Sequence, residues 1–451
     1  MTRPFPRGGV LLLSAIAGTA IANNYAVQPA LTSVAADLGV PPAAIGLVPT
    51  AALAGCMAGF ALLLPLTDRI APHRLVAAQL TALAAALCVA AAAPGAAVLL
   101  VAYLGIGAAA GVAAQAGAIA GRHAPPGRRG SGVACVAAGM SAGILLSRLA
   151  GGALTNLLGW RPMLLVFAAS ALLGAVAAAA LLPKERPYRE HGYRAALAQL
   201  PPLLRQFREL RRAVAVGGLW YFAFNLIWVA LVLALAAPPH SLEPTVIGLY
   251  SLTGLLGFAA LPFTGRLIDR YTPHAVITAA LLTAAAGTAL LATGLDSPPA
   301  TALGLALFDA GCFAAQAANQ SRIMALAPQR AGSLSSVYLI LYFAIGSLGT
   351  ALAAPLLTLS GWHGATLTAL AALLLAAALG HGWGRRARNQ GTGEQRTGEP
   401  HGDEPHMDEP HMDEPHVDEP HMDEPHVDEQ RSGEQRTDGH PSARPGGHAA
   451  R

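Results

Sequence analysis

Carboxylates are scarce over most of this sequence. Of its 25 acidic residues, 16 follow residue 390 and only nine precede it. A soluble chain typically carries about 25% charged residues, whereas this one carries 12%. A stretch of nearly 390 residues with nine carboxylates has no ordinary water-facing surface. We therefore expect this part of the chain to face lipid.

Other features that the sequence lacks exclude further classes of function. The sequence has no phosphate-binding P-loop, which argues against ATP-driven transport by this chain. Most arginines before residue 384 lie in loops between apolar runs, so they indicate topology and not a nucleic-acid surface. The four cysteines are too scattered for a metal site or a disulfide framework (Cys56, Cys88, Cys135 and Cys312). We expect no enzymatic activity, no cofactor and no nucleic-acid partner.

Apolar runs of about 20 residues, the length that crosses a bilayer, recur twelve times. The fold class predicted is an all-α membrane protein of twelve spanning helices. The runs are 8–28, 43–65, 75–93, 97–121, 131–155, 162–182, 214–237, 244–265, 274–294, 299–322, 332–355 and 362–382.

Basic residues alternate between the loops, and the positive-inside rule then places both termini in the cytoplasm. Arg3 and Arg7 precede the first run, which we interpret as an uncleaved first helix. The basic stretch 183–213 divides the spans into two groups of six. It is predicted to be a solvated linker or a helix lying on the inner membrane surface. We predict a bundle at 1–182, the linker at 183–213, a second bundle at 214–384 and a tail at 385–451.

The two groups of six repeat each other. DRIAPH at 68–73 matches DRYTPH at 269–274, and the AAQA around Gln115 matches that around Gln316, both at an offset of 201. Gly159-Trp160 matches Gly361-Trp362 at an offset of 202. With six spans each, the copies share one orientation. Such parallel repeats place a substrate site near the membrane midplane, and alternating access arises as one half moves against the other.

This arrangement, with a D-R motif after the second span of each half, resembles the major facilitator superfamily over about residues 8–384. The family's loop motif is G-x-x-x-D-R-x-G-R-R. The second copy here keeps Gly265, Asp269 and Arg270, and the first keeps Asp68 and Arg69 but has a leucine at the glycine position. The resemblance implies that these residues form a conformational latch at the inner surface. The alternative is a simple turn with topology-setting charges.

Several segments resemble a bacterial subgroup of efflux permeases, among them NNYAVQP at 23–29 and GILLSRLAGG in the fifth span. The resemblance implies a proton-coupled exporter in the bacterial cytoplasmic membrane. Antiporters of the superfamily usually carry G-x-x-x-G-P-x-x-G-G in the fifth span. Here Ile144 replaces the proline, and Ser147 and Arg148 replace the glycine pair. The direction of transport therefore stays open.

Ionisable residues inside spans are expensive and mark functional sites by default. Asp309 lies about ten residues into the tenth span, near the midplane. We expect it to carry a proton as access alternates or to bind substrate, or else to serve as a capping or packing residue bonded to neighbouring helices. Arg148 lies in the fifth span. It is predicted to attract an anionic substrate group or to pair with Asp309, and the alternative is an arginine that snorkels to the interface.

Uncharged polar residues crowd the spans that border the central cavity in this family. Such side chains either line the cavity or hold helices together. The candidates for the cavity are Asn23, Asn24, Tyr25, Gln28, Gln115, Asn225, Gln316 and Asn319.

The tail is an acidic, Pro-rich repeat of DEPHM or DEPHV, a composition typical of disorder. Its histidines give a weak possibility of binding a transition metal, and the alternative is a repeat with no such role (His406, His411, His416, His421 and His426).

Together these patterns predict a secondary active transporter of a small organic molecule. Its expected partners are the substrate, protons and the lipid bilayer, and it is expected to be a monomer. Two alternatives remain, a proton-coupled importer and a non-transporting membrane sensor that retains the fold.

Overall fold

The computed structural model describes residues 7–123, 129–184, 200–254, 270–327 and 331–396, and every regular element in these ranges is helical. Short 3-10 helices occur at Gln28–Ala30, Leu64–Asp68 and Tyr250–Leu252. The α-helices are α1 (Arg7–Ala22), α2 (Leu31–Leu38), α3 (Pro42–Ile45), α4 (Leu47–Leu62), α5 (Pro72–Ala91), α6 (Ala96–Ala110), α7 (Val112–His123), α8 (Arg129–Leu158), α9 (Trp160–Leu181), α10 (Leu200–Gln206), α11 (Arg208–Ala236), α12 (Pro244–Leu249), α13 (Pro273–Leu291), α14 (Pro298–Leu326) and α15 (Ala331–Arg396).

Nine helical segments within the described residues are long and apolar enough to cross a membrane. One of them, Ser333–His381, covers two predicted spans. Gly361 has non-helical backbone angles and marks the boundary between these two spans. The first predicted span is represented by the shorter apolar helix Gly8–Ala22. The eighth run, 244–265, is described only as far as residue 254. The all-α membrane fold predicted from the apolar runs is confirmed.

The first span ends earlier than its apolar run suggests. The predicted helix over 8–28 stops at Ala22 and is followed by a turn and the 3-10 helix Gln28–Ala30. Proline has no backbone N–H, so Pro29 cannot bond the Tyr25 carbonyl as a helix would require. The Gln28 N–H donates to that carbonyl instead, across 3.0 Å. This irregular segment directs Tyr25 and Gln28 into the protein interior, where both are buried.

The internal repeat is visible in the backbone. The sixth span begins at Trp160 after Gly159, and the twelfth begins at Trp362 after Gly361. Both glycines have positive φ, 90° and 64°, which is a backbone region that residues with a Cβ rarely adopt. The Trp362 indole donates to the Leu291 carbonyl across 2.7 Å. The paired glycines therefore give the same backbone turn before both helices, whereas the Trp160 indole donates to Asp37 across 3.2 Å.

Consecutive spans run in opposite directions, which defines two sides of the bundle. We call the side with Leu62, His123 and Leu181 the near side, and the side with Leu158 and Pro298 the far side. In α11, 78% of the apolar membrane-spanning stretch is buried inside the protein, whereas in α9 the buried share is 28%. The helix α11 therefore lies at the centre of the bundle, whereas α9 presents an apolar outer surface suited to lipid.

Candidate functional site

A fully buried arginine lies where the two halves of the sequence meet. Arg148, on α8, is 1% exposed, and its Nε donates to Gln28 Oε1 across 2.9 Å. Its guanidinium lies 4.0 Å from the centroid of the Trp228 ring. The rings of Tyr25 and Phe224 lie 5.0 Å and 5.7 Å away. We call these three rings the aromatic cage. Each is within the range of a cation–π interaction.

Asp309 contacts the indole N–H of Trp228. This carboxylate, on α14, is 0% exposed, and its Oδ1 accepts a hydrogen bond from Trp228 Nε1 across 3.1 Å. Its Oδ2 has no hydrogen-bond partner among the described residues. Among the described residues no hydrogen bond or ion pair joins Arg148 to Asp309, and one indole contacts both groups. The pairing of Arg148 with Asp309 stays a prediction.

A second contact joins the halves beside the cage. The hydroxyls of Tyr25 and Tyr221 lie 2.9 Å apart and share a hydrogen bond. The Tyr221 ring stacks on Tyr342, with centroids 3.9 Å apart. Tyr25 comes from the turn after α1, whereas Tyr221 belongs to α11. The centre of the bundle is therefore both aromatic and polar.

Trp228, Phe224 and Tyr221 were missed in the analysis of the sequence, which considered only Asn225 in this span. Their spacing could have revealed them. Trp220, Phe224 and Trp228 recur at four-residue intervals, and Tyr221 precedes Asn225 by the same interval. Residues four apart lie on one face of a helix. A strip of aromatic rings along one spanning helix is a signal for a ring-lined site, although ordinary core packing gives the same pattern.

Three of the four predicted cavity asparagines, Asn23, Asn24 and Asn225, lie near this centre and are buried. Asn23 donates to the Thr19 carbonyl, Asn24 to Cys56 Sγ and Asn225 to the Tyr221 carbonyl, across 2.7, 3.0 and 2.8 Å. In all three, the side-chain oxygen has no partner within the described chain. They therefore keep an acceptor available, and their role in a cavity stays a prediction.

The repeat-related glutamines lie toward the near side and bond within their own halves. Gln115 accepts from Gln79 and donates to the Leu63 carbonyl, each across 2.8 Å. Gln316 accepts from the Tyr338 hydroxyl across 3.0 Å. Asn319 donates to the Ala213 carbonyl across 2.9 Å. These contacts fit the helix-joining interpretation, and lining of a cavity stays a prediction for all three candidates.

The predicted latch lies largely outside the described structure. Gly265 and Asp269 fall between the ranges that are described, and the Asp68 side chain is likewise not described. The Arg270 guanidinium lies 5.8 Å from the Tyr271 ring centroid. The latch of Asp68, Arg69, Gly265, Asp269 and Arg270 therefore stays a prediction. The tail histidines lie outside the described residues too.

On the far side, polar contacts join the two halves. Thr50 on α4 and Thr350 on α15 share a hydrogen bond of 2.8 Å. Asn156, near the end of α8, donates to Glu243 across 2.7 Å. The Thr245 hydroxyl lies 3.4 Å from the Gly152 carbonyl, at a point of close approach between α8 and α12. The far ends of the halves are therefore in contact in this conformation.

A helical bundle with buried charges between two repeated halves defines the class of protein as a polytopic membrane transporter. The sequence model of the Major Facilitator Superfamily matches residues 13–350. The chain belongs to this superfamily, so it is a transporter and not an enzyme.

The curated relatives agree with the assignment. The chain is 28% identical over 361 residues to the uncharacterized transporter YgaY of Escherichia coli O157:H7, which covers 79% of this chain and 91% of that protein. It is 32% identical over 369 residues to the "Probable transporter SCO4007" of Streptomyces coelicolor, covering 81% of this chain and 85% of that protein.

Solved structures share the fold. The human organic anion transporter MFSD10 superposes with a TM-score of 0.60 at 22% identity, over 82% of this chain and 97% of that one. A bacterial homologue of the human lysosomal transporter Spinster, in an inward-facing and unoccupied conformation, gives a TM-score of 0.62 at 14% identity. That match covers 83% of this chain and 96% of the homologue.

Proposed function

We propose that this protein is a proton-coupled secondary transporter that exports a small organic molecule across the bacterial inner membrane by alternating access. The observation that carries the proposal is the buried group formed by Arg148, Trp228 and Asp309. Its members come from α8, α11 and α14, so both halves contribute to it. A site built by two halves changes its access when they move against each other.

Asp309 is the residue proposed to carry the proton. A carboxyl group fully buried among helices holds a proton at little cost, because the low local polarity disfavours its charged form. One oxygen is held by Trp228, while the other has no partner among the described residues. Asp309 can therefore gain and lose a proton on Oδ2 without breaking the hydrogen bond that Oδ1 accepts from Trp228.

The proposed cycle moves residues 1–182 against residues 214–384, with the stretch 183–213 as their cytoplasmic linker. Both termini then lie in the cytoplasm, on the near side. The far-side contacts between the halves, such as Thr50 with Thr350, support a conformation closed to the outside. In the opposite conformation these contacts separate, and the D-R motifs at 68–69 and 269–270 act as a latch. The protein is proposed to work as a monomer.

Import is the second candidate. The fifth span lacks the proline and the glycine pair that antiporters of the superfamily usually carry, having Ile144, Ser147 and Arg148 instead. A change at this motif favours a different coupling geometry. Proton-coupled import would use the same Asp309 and the same movement, with proton and substrate travelling in one direction.

Everted membrane vesicles with an imposed proton gradient test the proposal. A pH-sensitive dye reports the gradient while organic compounds are added one at a time. A compound that dissipates the gradient with the wild type and not with Asp309→Asn supports proton coupling through Asp309. Asp296→Asn is the matched control, because Asp296 is exposed on the far side. It should behave like the wild type.

Two results would contradict parts of the proposal. A wild-type response by Asp309→Asn would mean that another group carries the proton. Uptake of labelled compound by right-side-out vesicles, in the direction of the proton gradient, would replace export by import. A protein that moves no compound in either vesicle orientation would fit the sensor interpretation.

A further inference from the structure

Arg148 holds a buried charge that the described residues only partly satisfy. Its Nε is bonded to Gln28, but Nη1 and Nη2 have no hydrogen-bond partner among the described residues. Among the described residues no ion pair joins Arg148 to Asp309, and Trp228 contacts both groups. Buried charges are normally paired and hydrogen-bonded, because an uncompensated one is costly. Among the described residues these two donors have no acceptor, although the side chain is only 1% exposed, and this leaves them available to a ligand.

The geometry of the guanidinium restricts what that partner is. The contact with Gln28 fixes the Nε edge, and the aromatic cage packs around the group. The Nη1 and Nη2 atoms are left to donate. Two neighbouring N–H donors in one plane match the two oxygens of a carboxylate or a similar acidic group.

The surroundings of the cage favour a ligand with an aromatic body. Phe224 lies parallel to Phe308, with centroids 6.1 Å apart, and edge-on to Phe313 at 6.0 Å. Tyr221, Tyr342 and Phe343 extend this surface, with Tyr221 and Phe343 5.3 Å apart. Aromatic faces and edges gain from stacking on another ring beyond the area that they bury.

The charges of Asp309 and Arg148 favour an anionic ligand over a cationic one. Asp309 is also incompletely bonded, but a carboxyl becomes neutral when it takes up a proton. An arginine does not lose its proton in proteins. The lasting charge at this site is therefore positive.

We propose that Arg148 binds the acidic group of the transported molecule, and that the substrate is an organic anion with an aromatic body. This inference rests on the proposed transport function and names the substrate class of the same site. The aromatic cage then holds both the guanidinium and the nearest part of the substrate.

The test measures binding without transport. The purified full-length protein in detergent is titrated by calorimetry with three probes of one shape, namely 1-naphthoate, 1-naphthamide and 1-naphthylmethylamine. We expect naphthoate to bind the wild type at least about tenfold more tightly than naphthamide, as for hydrogen bonds to a charged group. Arg148→Gln should abolish this difference. Arg74→Gln is the matched control, since Arg74 is exposed on the near side, and it should retain the difference.

A second variant covers the case in which Arg148→Gln does not fold. Phe224→Leu removes a ring of the cage that makes no hydrogen bond, and it should weaken naphthoate binding several-fold. Equal affinity of the wild type for naphthoate and naphthamide would overturn the inference. So would tighter binding of the amine, no binding of any probe, or unchanged naphthoate affinity in a folded Arg148→Gln or in Phe224→Leu.

The result is separable from the proposed function. Binding is measured without a proton gradient, so a failure here leaves the vesicle result with Asp309→Asn unaffected. Conversely, charge-dependent binding at Arg148 together with no movement of any compound would contradict transport and leave anion recognition intact.

Discussion

Trp228 donates its indole N–H to Asp309 across 3.1 Å, and the face of the same ring lies 4.0 Å from the guanidinium of Arg148. One side chain thus contacts the two buried charges at the centre of the bundle. Its N–H donates a hydrogen bond to the carboxylate, and its ring face makes a cation–π contact with the guanidinium. The two functions of the indole can be separated by substitution, because phenylalanine keeps an aromatic face and loses the N–H.

Trp228→Phe should lower the stability of the folded protein. The substitution leaves buried Asp309 without its hydrogen-bond donor, and an unsatisfied buried polar group costs about 1–3 kcal/mol. The midpoint of thermal unfolding in detergent measures the effect. Trp220→Phe, on the same helix, is the control, since the buried Trp220 N–H has no partner within the described residues. An equal loss in both variants would show that ring size, and not the bond to Asp309, sets the cost.

The hydrogen bond between Tyr25 and Tyr221 should contribute measurable coupling between the halves. Each single substitution to phenylalanine removes the same 2.9 Å contact, so the double variant should lose no more of it. We expect a coupling free energy of about 1 kcal/mol in a double-mutant cycle, measured by thermal or denaturant unfolding. Tyr103→Phe provides a control, because the buried Tyr103 hydroxyl has no partner among the described residues. Strict additivity of Tyr25→Phe and Tyr221→Phe would contradict the coupling.

The sequence was sufficient to predict the membrane fold and to single out two charged residues that the structure buries. Apolar length identifies a span on its own, and a carboxylate or guanidinium inside a span is conspicuous because it is so costly. Asp309 and Arg148 were found in this way, and both are fully buried. Their relation through Trp228 could not be predicted, because it depends on the rotation of α11 relative to α8 and α14. Apolar runs do not encode that rotation.

Helix ends were less predictable than helix existence. The run 8–28 carries no charged residue, yet the helix stops at Ala22 and the chain turns before Pro29. Hydropathy does not distinguish a continuous helix from a turn buried inside the protein. The proline was visible in the sequence, but a proline also occurs inside α15 at Pro355 without ending that helix. Tertiary contacts decide between the two outcomes.

Joining the far ends of the halves covalently should stop the transport cycle. Thr50 and Thr350 lie close enough for their hydroxyls to share a 2.8 Å hydrogen bond. In a background without the four native cysteines, Thr50→Cys with Thr350→Cys should form a disulfide on mild oxidation. Transport in vesicles should then cease and return after reduction. Each single cysteine variant should stay active under oxidation. Full activity of the cross-linked protein would show that the far ends do not separate.

Gly152→Ala should weaken the closed far side. A Cβ at Gly152 would lie 2.3 Å from the Pro244 carbonyl oxygen, a distance that the backbone of α12 can relieve only by moving away. Overpacking of this kind typically costs about 1–3 kcal/mol, so the conformation with separated far ends should gain population. The rate at which a membrane-impermeant thiol reagent labels Thr50→Cys reports that population. Labelling should be several-fold faster with Gly152→Ala. Gly117→Ala makes the same change in a helix where a Cβ meets nothing within 4 Å, and it should label at the parent rate. Equal labelling in all three proteins would mean that the approach of α8 to α12 does not control access from the far side.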